Sequence, residues 1–346
     1  MIRDTRMIRI SVTLALLLLF LAVMFFYGLA DTAYAPFSVI GSDYVPDDDP
    51  GPSFIIPVPS PTDAPPPIPS PTPLLPTPTQ EQPDSDYVLL RMRLSDISRG
   101  SLILVNHSHS FELPGDNDLI AIADHISSSY SLAFAGAQLS AMVIDPLNEM
   151  MDAFYAETGN SSLVIRSAYR SRAGQQQIYE NYVGLVGYTE AQRWASLPGH
   201  SEHQAGVAVD LGRRSGGEIQ AFSGAGIYSW FNENCYKFGF ILRYPPDKTE
   251  ITQIHHEPWH FRYVGIPHAY IMHSNNWCLE EYIELIMGHT RETPFVTEYG
   301  GVPYEIYFSR DVEIQLPFNS EFDVSGNNIN GFIVTISTDQ TAPRSS

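Results

Sequence analysis

Ser201-Glu202-His203-Gln204-Ala205-Gly206-Val207-Ala208-Val209-Asp210 is the stretch on which the reading of this chain turns. It sets an imidazole and a carboxylate seven residues apart. That spacing is too long for one helical turn, and Gly206 permits a tight turn between the two groups. Val207-Ala208-Val209 predicts a short buried strand that ends by delivering Asp210. A loop histidine and a strand-end aspartate are thereby brought together. Alone the pair is a weak signal, because a solitary histidine is more often a satisfied surface group.

The second half lies downstream, in Glu257-Pro258-Trp259-His260. Two imidazoles and one carboxylate hold a zinc ion and leave its fourth position to water. His203, Asp210 and His260 are the candidate ligands. Glu257, three residues before the last of them, is the candidate base: a metal lowers the pKa of its water to about 7, a carboxylate takes the proton, and the leaving amine receives it. The bland alternative is a glutamate in a polar surface loop. The Trp, Phe and Tyr residues around Glu257 argue against it, since an unpaired carboxylate is costly there.

His256-Glu257-Pro258-Trp259-His260 also matches the helical zinc signature H-E-x-x-H. That signature needs both histidines on one continuous helix. Pro258 interrupts such a helix, and Phe261-Arg262-Tyr263-Val264 reads as a strand. Both readings retain Glu257 and His260. They differ over whether His256, or His203 with Asp210, completes the set, and the second is favoured.

Upstream, Leu163-Val164-Ile165 is a short buried strand that runs into Ser167-Ala168-Tyr169-Arg170-Ser171. The Arg170 guanidinium is placed to grip a substrate carboxylate in a bidentate pair or to face a tetrahedral oxyanion. A loop arginine is otherwise usually solvated. The three pieces together describe a metal-assisted amide hydrolase.

Around them, Leu139, Met142, Val143, Leu147, Met150, Met151 and Phe154 recur at helical spacing, so these methionines are packing and not ligands. Ala173 to Val186 and Glu190 to Ser196 read as helices, and Pro198-Gly199 breaks the chain before the Ser201 stretch. Ile227 to Phe238 and Leu279 to Met287 are further expected helices. Phe240-Ile241-Leu242-Arg243-Tyr244 and His260 to Val264 are expected strands. From Thr293 the pattern changes to alternation, with strands at Tyr304-Glu305-Ile306-Tyr307-Phe308 and Gly331 to Ile336 and a turn at Asn327-Asn328.

The 346 residues are enough for one sizeable domain with appendages, and 44% hydrophobic content supports a real core. A net charge of -20 argues against nucleic acid or an anionic membrane surface as the main partner. Two cysteines, Cys235 and Cys278, cannot build a cysteine zinc site; a disulfide and two buried thiols are both open.

The N-terminus carries a charge-free run from Ile10 to Ala30, long enough to span a bilayer as a helix. Arg3, Arg6 and Arg9 before it keep the tip cytoplasmic. A cleaved signal peptide, cut near Ala33-Tyr34-Ala35, is the rival reading. Either way the remainder is exported. Proline-rich sequence follows, including Pro57-Val58-Pro59-Ser60-Pro61, and reads as an extended linker with a reach on the order of 100 Å. The expected domains are a cytoplasmic tip and membrane anchor over residues 1–35, a linker over 36–85, a catalytic domain over 86–290, and a small β appendage over 291–346.

The three motifs, with Phe240-Ile241-Leu242-Arg243-Tyr244-Pro245 and Glu257 to Gly265, resemble the VanY-type D-alanyl-D-alanine carboxypeptidases, zinc enzymes of bacterial cell-wall metabolism. The resemblance runs from about Tyr87 to Met287. It implies an α+β fold: a compact zinc-peptidase domain with a small antiparallel sheet flanked by helices, to which the chain adds a short C-terminal β appendage. It implies zinc on His203, Asp210 and His260, Glu257 as general base, and Arg170 on the oxyanion or substrate. It further implies that Gln175, Ser196, Ser201 and Tyr244 line the pocket for the substrate's terminal residue. The expected substrates are peptidoglycan stem peptides, cut to release the C-terminal D-alanine. An L,D-carboxypeptidase or an endopeptidase would use the same kit. A non-catalytic wall-binding module would have no use for Glu257. Two departures stand out: Ala168 where the family often has Gly, and a long, glycine-rich Arg213–Gly226 segment.

Overall fold

The computed structural model describes residues 87–318 and 320–338. In chain order its strands are β1 (Tyr87–Arg91), β2 (Leu119–Ala121), β3 (Ser131–Leu132), β4 (Gln138–Ser140), β5 (Leu163–Ser167), β6 (Ala208–Ser215) and β7 (Glu218–Ala221). They continue with β8 (Phe240–Leu242), β9 (His260–Tyr263), β10 (Phe295–Tyr299), β11 (Val302–Ser309), β12 (Glu313–Pro317), β13 (Glu321–Gly326) and β14 (Phe332–Ser337). The α-helices are α1 (Ala141–Thr158), α2 (Arg172–Val186), α3 (Tyr188–Trp194), α4 (Trp230–Asn234), α5 (Thr249–Thr252), α6 (His268–Asn275) and α7 (Leu279–Ile286).

The sheet that carries the motifs has the order β3-β5-β6-β9-β8, with β7 paired to the outer part of β6. Every pairing in it is antiparallel except β3 with β5. Alternation along a strand sends successive side chains to opposite faces. One face of this sheet meets α1, whose Val143, Leu147, Met150, Met151 and Phe154 share a core with Leu163, Ile165, Val209, Leu211 and Phe261. The helix ends where Gly159 adopts a left-handed conformation and donates its N–H to Tyr155 O. Leu139, read with the helix, lies instead on β4, and Met142 is exposed.

Two local expectations are corrected. The strand begun at Val207 does not stop at Asp210. It runs on to Ser215 and turns at Gly216-Gly217, both at positive φ, into β7. The glycine-rich segment is thus a hairpin extension of the central strand. The region Ile227 to Phe238 is not one helix: α4 is flanked by 3-10 turns at Gly226–Ser229 and Cys235–Phe238. Tyr228, Trp230 and Phe231 all turn toward Phe154, with ring centroids 5.9, 5.6 and 4.9 Å from it. A single regular helix face does not bring together rings at those three positions.

The C-terminal strands form a second antiparallel sheet, β10-β11-β14-β13. Ile306 and Ile333 on one face join a core with Ile271, Met272, Tyr282, Ile283 and Ile286 of α6 and α7. Tyr307, Phe332 and Val334 on the other face pack with Ile314 and Leu316 of β12. β12 pairs in turn with β1, the first described strand. Packing therefore continues across the expected boundary at residue 290, and the described residues form one compact unit. Cys235 and Cys278 are buried free thiols. The expected anchor and linker over residues 1–85 lie outside the described residues. Among the described residues no helix is long and apolar enough to cross a membrane.

Candidate metal and catalytic site

Register brings the first two groups together. Asp210 on β6 stands directly opposite His260 on β9, and opposite Ser167 on β5. Directly opposed residues of an antiparallel pair share a face. His260 enters β9 from a tight turn in which its N–H donates to Glu257 O at 3.2 Å. Pro258 occupies the second position of that turn, where its fixed φ is favoured. The helical H-E-x-x-H arrangement does not form, and His256 instead directs Nδ1 to the carbonyl of Tyr244 at 2.8 Å.

His203 sits in the 3-10 turn Glu202–Ala205, closed by Gly206 at φ +68°. A Cβ at Gly206 would meet Leu119 Cδ2 at 2.5 Å and the backbone N of Ser140 at 3.0 Å. The turn thus needs glycine for both conformation and space. His203 Nδ1 lies 2.7 Å from Ala168 O. A carbonyl only accepts, so Nδ1 carries the proton, and the lone pair of Nε2, 3.2 Å from Asp210 Oδ2, is left for a cation that both atoms could share. His260 Nδ1 lies 3.0 Å from Asp210 Oδ1 and 3.7 Å from Glu257 Oε2.

One ligand atom from each of His203, Asp210 and His260 falls within 4.8 Å of the others. The two imidazole rings stand nearly perpendicular, 4.9 Å apart. Burial alone raises the Asp210 carboxyl, but His203 and His260 outweigh it and hold it well below the usual range. Burial pushes Glu257 up to about 8, with the positive side of His260 opposing and Asp210 reinforcing the rise. Buried nitrogen and oxygen donors converging on one point, one ring braced by a carbonyl, fit a divalent cation of the zinc type.

Arg170 faces this cluster. Its Nη2 is 3.7 Å from Asp210 Oδ2 and donates to Ser167 Oγ at 2.7 Å, while Nη1 donates to Gln175 Oε1 at 2.8 Å. Gln175 is buried and spends its amide N–H on Ser196 O at 2.7 Å. Gln175 and the Ser196 carbonyl therefore brace Arg170. Ser201 is buried at the start of the His203 turn, its carbonyl accepting from Gln204 N–H. The Tyr244 ring is buried 5.0 Å from the His260 ring, with the Arg243 guanidinium 4.9 Å from its centroid.

Sequence reasoning passed over Glu202, which accepts hydrogen bonds from the fully buried Arg243 and Arg262. A signal was present: both arginines interrupt apolar strand runs, and a buried cation needs an acid. It also passed over Trp194, which stacks on Tyr182 with centroids 6.3 Å apart and meets the His255 ring at a tilt, 4.5 Å away. His255 is in turn paired with Glu190 at 2.7 Å.

Two imidazoles and a carboxylate beside a second buried carboxylate on a small antiparallel sheet make a metallopeptidase type of site. Residues 136–266 match the family described as VanY, D-alanyl-D-alanine carboxypeptidase. A D-alanyl-D-alanine carboxypeptidase of Enterococcus faecium is 32% identical over 246 residues, 69% of this chain and 76% of that protein. Another, from Enterococcus faecalis, is 37% identical over 197 residues, covering 54% and 67%. The crystal structure of the vancomycin resistance D,D-dipeptidase VanXYg, in complex with a D-Ala-D-Ala phosphinate analog, superposes with a TM-score of 0.65 at 33% identity. That match covers 72% of this chain and 99% of the other. The chain belongs to the VanY D-alanyl-D-alanine carboxypeptidase family.

Proposed function

We propose that this chain is a zinc-dependent D,D-carboxypeptidase that removes the C-terminal D-alanine from peptidoglycan stem peptides. The observation that carries the reading is the approach of Glu257 Oε2 to within 3.7 Å of His260 Nδ1, beside the cluster of His203, Asp210 and His260. Those three residues are the ones that would hold the zinc ion, which when bound supplies Lewis acidity and makes water nucleophilic near neutral pH. Glu257 takes the proton of the attacking water and returns it to the leaving amine. Burial raises its proton affinity, which strengthens it as a base. Arg170, braced by Ser167 and Gln175, offers its charge to the substrate carboxylate or to the developing oxyanion. Ser201 and Tyr244 are assigned to the wall that receives the terminal residue.

The test is Glu257→Ala. The variant is expected to fold and bind zinc while losing nearly all D-alanine release from a pentapeptide stem; release at the wild-type rate would overturn the reading. Mass spectrometry of the same digests checks the bond cut. Trimming of tetrapeptides with pentapeptides untouched would reassign the enzyme as an L,D-carboxypeptidase.

We also assign the catalytic work to residues 86–290, exported and tethered by the apolar run Ile10–Ala30. Supporting this are the absence of charge in that run and the arginines before it. Full-length protein recovered entirely in the soluble fraction after export would overturn the tether.

A further inference from the structure

We infer that Glu202 is the positioning residue of this site, orienting the His260 ring so that Nδ1 faces the ligand cluster. The inference rests on the reading of His260 as a metal ligand. Glu202 is 1% exposed, and the two arginines that grip it are 0% exposed. Its Oε1 accepts from Arg243 Nε at 2.7 Å and from Arg262 Nη1 at 2.8 Å. Its Oε2 accepts from neither. Oε2 lies 3.5 Å from His260 Nε2, and both atoms are buried with no other hydrogen-bond partner among the described residues.

Neutralising two buried arginines explains Oε1 alone. It leaves Oε2 without a purpose, and an unpartnered buried carboxylate oxygen is costly. His260 Nε2 has the same deficit from the donor side. Each atom answers the other when the ring carries its proton on Nε2, and that tautomer leaves the Nδ1 lone pair directed at the cluster. A carboxylate behind a ligating imidazole fixes the ring and raises its basicity.

The fold holds Glu202 from several sides. Residues two apart on a strand share a face, so His260 and Arg262 of β9 both present to Glu202. Arg262 also donates Nη2 to Ser101 O at 2.7 Å and Ile103 O at 2.9 Å. Arg243 carries a bidentate pair to Glu280 of α7, at 2.9 and 2.7 Å. Glu280 in turn accepts from Asn106 Nδ2 at 3.1 Å. Glu202 is thus the inner end of a buried chain of charge, and its Oε2 meets the cluster at His260 Nε2.

The experiment compares Glu202→Gln with Glu280→Gln, reading zinc affinity by competition with a chromophoric chelator and stability by thermal melts. A glutamine has one side-chain oxygen: turned to the arginines, it sets its NH2 against His260 Nε2–H. Glu202→Gln is expected to weaken zinc binding about 10–100-fold. Glu280→Gln disturbs Arg243 without touching His260, so it is expected to lower the melting temperature while zinc affinity stays close to wild type. Wild-type affinity in Glu202→Gln, or equal weakening in both variants, would overturn the inference. Should Glu202→Gln fail to fold, the ring is read in the zinc-loaded wild type by nitrogen-15 histidine NMR. A proton on Nε2 of His260 supports the inference, and a proton on Nδ1 overturns it. A wild-type protein that binds no zinc removes the proposed function itself, a result distinct from either of these.

Discussion

Acidification should unfasten helices α6 and α7 from the C-terminal sheet through one buried histidine. His268 opens α6 and is 1% exposed. Its Nδ1 lies 2.6 Å from the Tyr282 hydroxyl on α7, and its Nε2 lies 3.1 Å from Thr335 Oγ1 on β14. Burial alone pushes the imidazole down to about 3. The folded protein therefore keeps the ring neutral where the unfolded chain, titrating at about 6.5, takes up a proton. Stability linked to this group is fully present above the unfolded value and is lost as pH falls from there toward the folded one. At pH 5 the native state has lost about 2 kcal/mol, and the full shift caps the loss at about 5 kcal/mol. That is a large share of a typical stability of about 5–15 kcal/mol. Urea unfolding of wild type and His268→Gln at pH 7 and pH 5 measures it. Glutamine keeps a donor and an acceptor but does not titrate, and the contributions of all other groups cancel between the two proteins. Wild type should lose about 2 kcal/mol more than the variant between the two pH values. Equal losses would refute the reasoning.

Phe154→Ala empties the centre of the ring cluster formed with Tyr228, Trp230 and Phe231, and should lower urea stability by about 3–5 kcal/mol. Gly206→Ala puts a Cβ at positive φ against Ser140 N and Leu119, costing about 1–3 kcal/mol and shifting His203; weaker zinc binding in a chelator competition is the readout. Native protein should react slowly with a thiol reagent, because Cys235 and Cys278 are 3% and 2% exposed, and should release two thiols on unfolding without reductant.

The candidate site groups were legible because residue type and short turns carry their chemistry. Gly206 marks the turn that presents His203, and Pro258 marks the one that presents His260. Both signals are complete within a few residues. Pro258 tells against a helical H-E-x-x-H in the same local way, and Glu257 to His260 form a turn. The helices α1, α2 and α7 were legible for the same reason, their apolar faces repeating at helical spacing. Helix α6 escaped notice because His268, Ala269, Ile271 and Met272 bury two sides of it and leave little contrast to read.

Pairings between distant segments left no such mark. Nothing in Tyr87–Arg91 announces β12 as its partner, so the cores that the C-terminal strands share with α6, α7 and β1 could not be read from the sequence. The same limit hid Glu202. Arg243 and Arg262 looked like breaks in apolar strands, and only the register shows one acid placed to answer both. That register is itself a strict condition on the chemistry. Asp210 stands opposite His260 and Val209 opposite Phe261. A slip of one residue would set Phe261 against Asp210 and turn both His260 and Arg262 to the other face. His260 and Arg262 would then leave the candidate site together, so the apolar alternation that holds β9 against β6 is what keeps that site assembled.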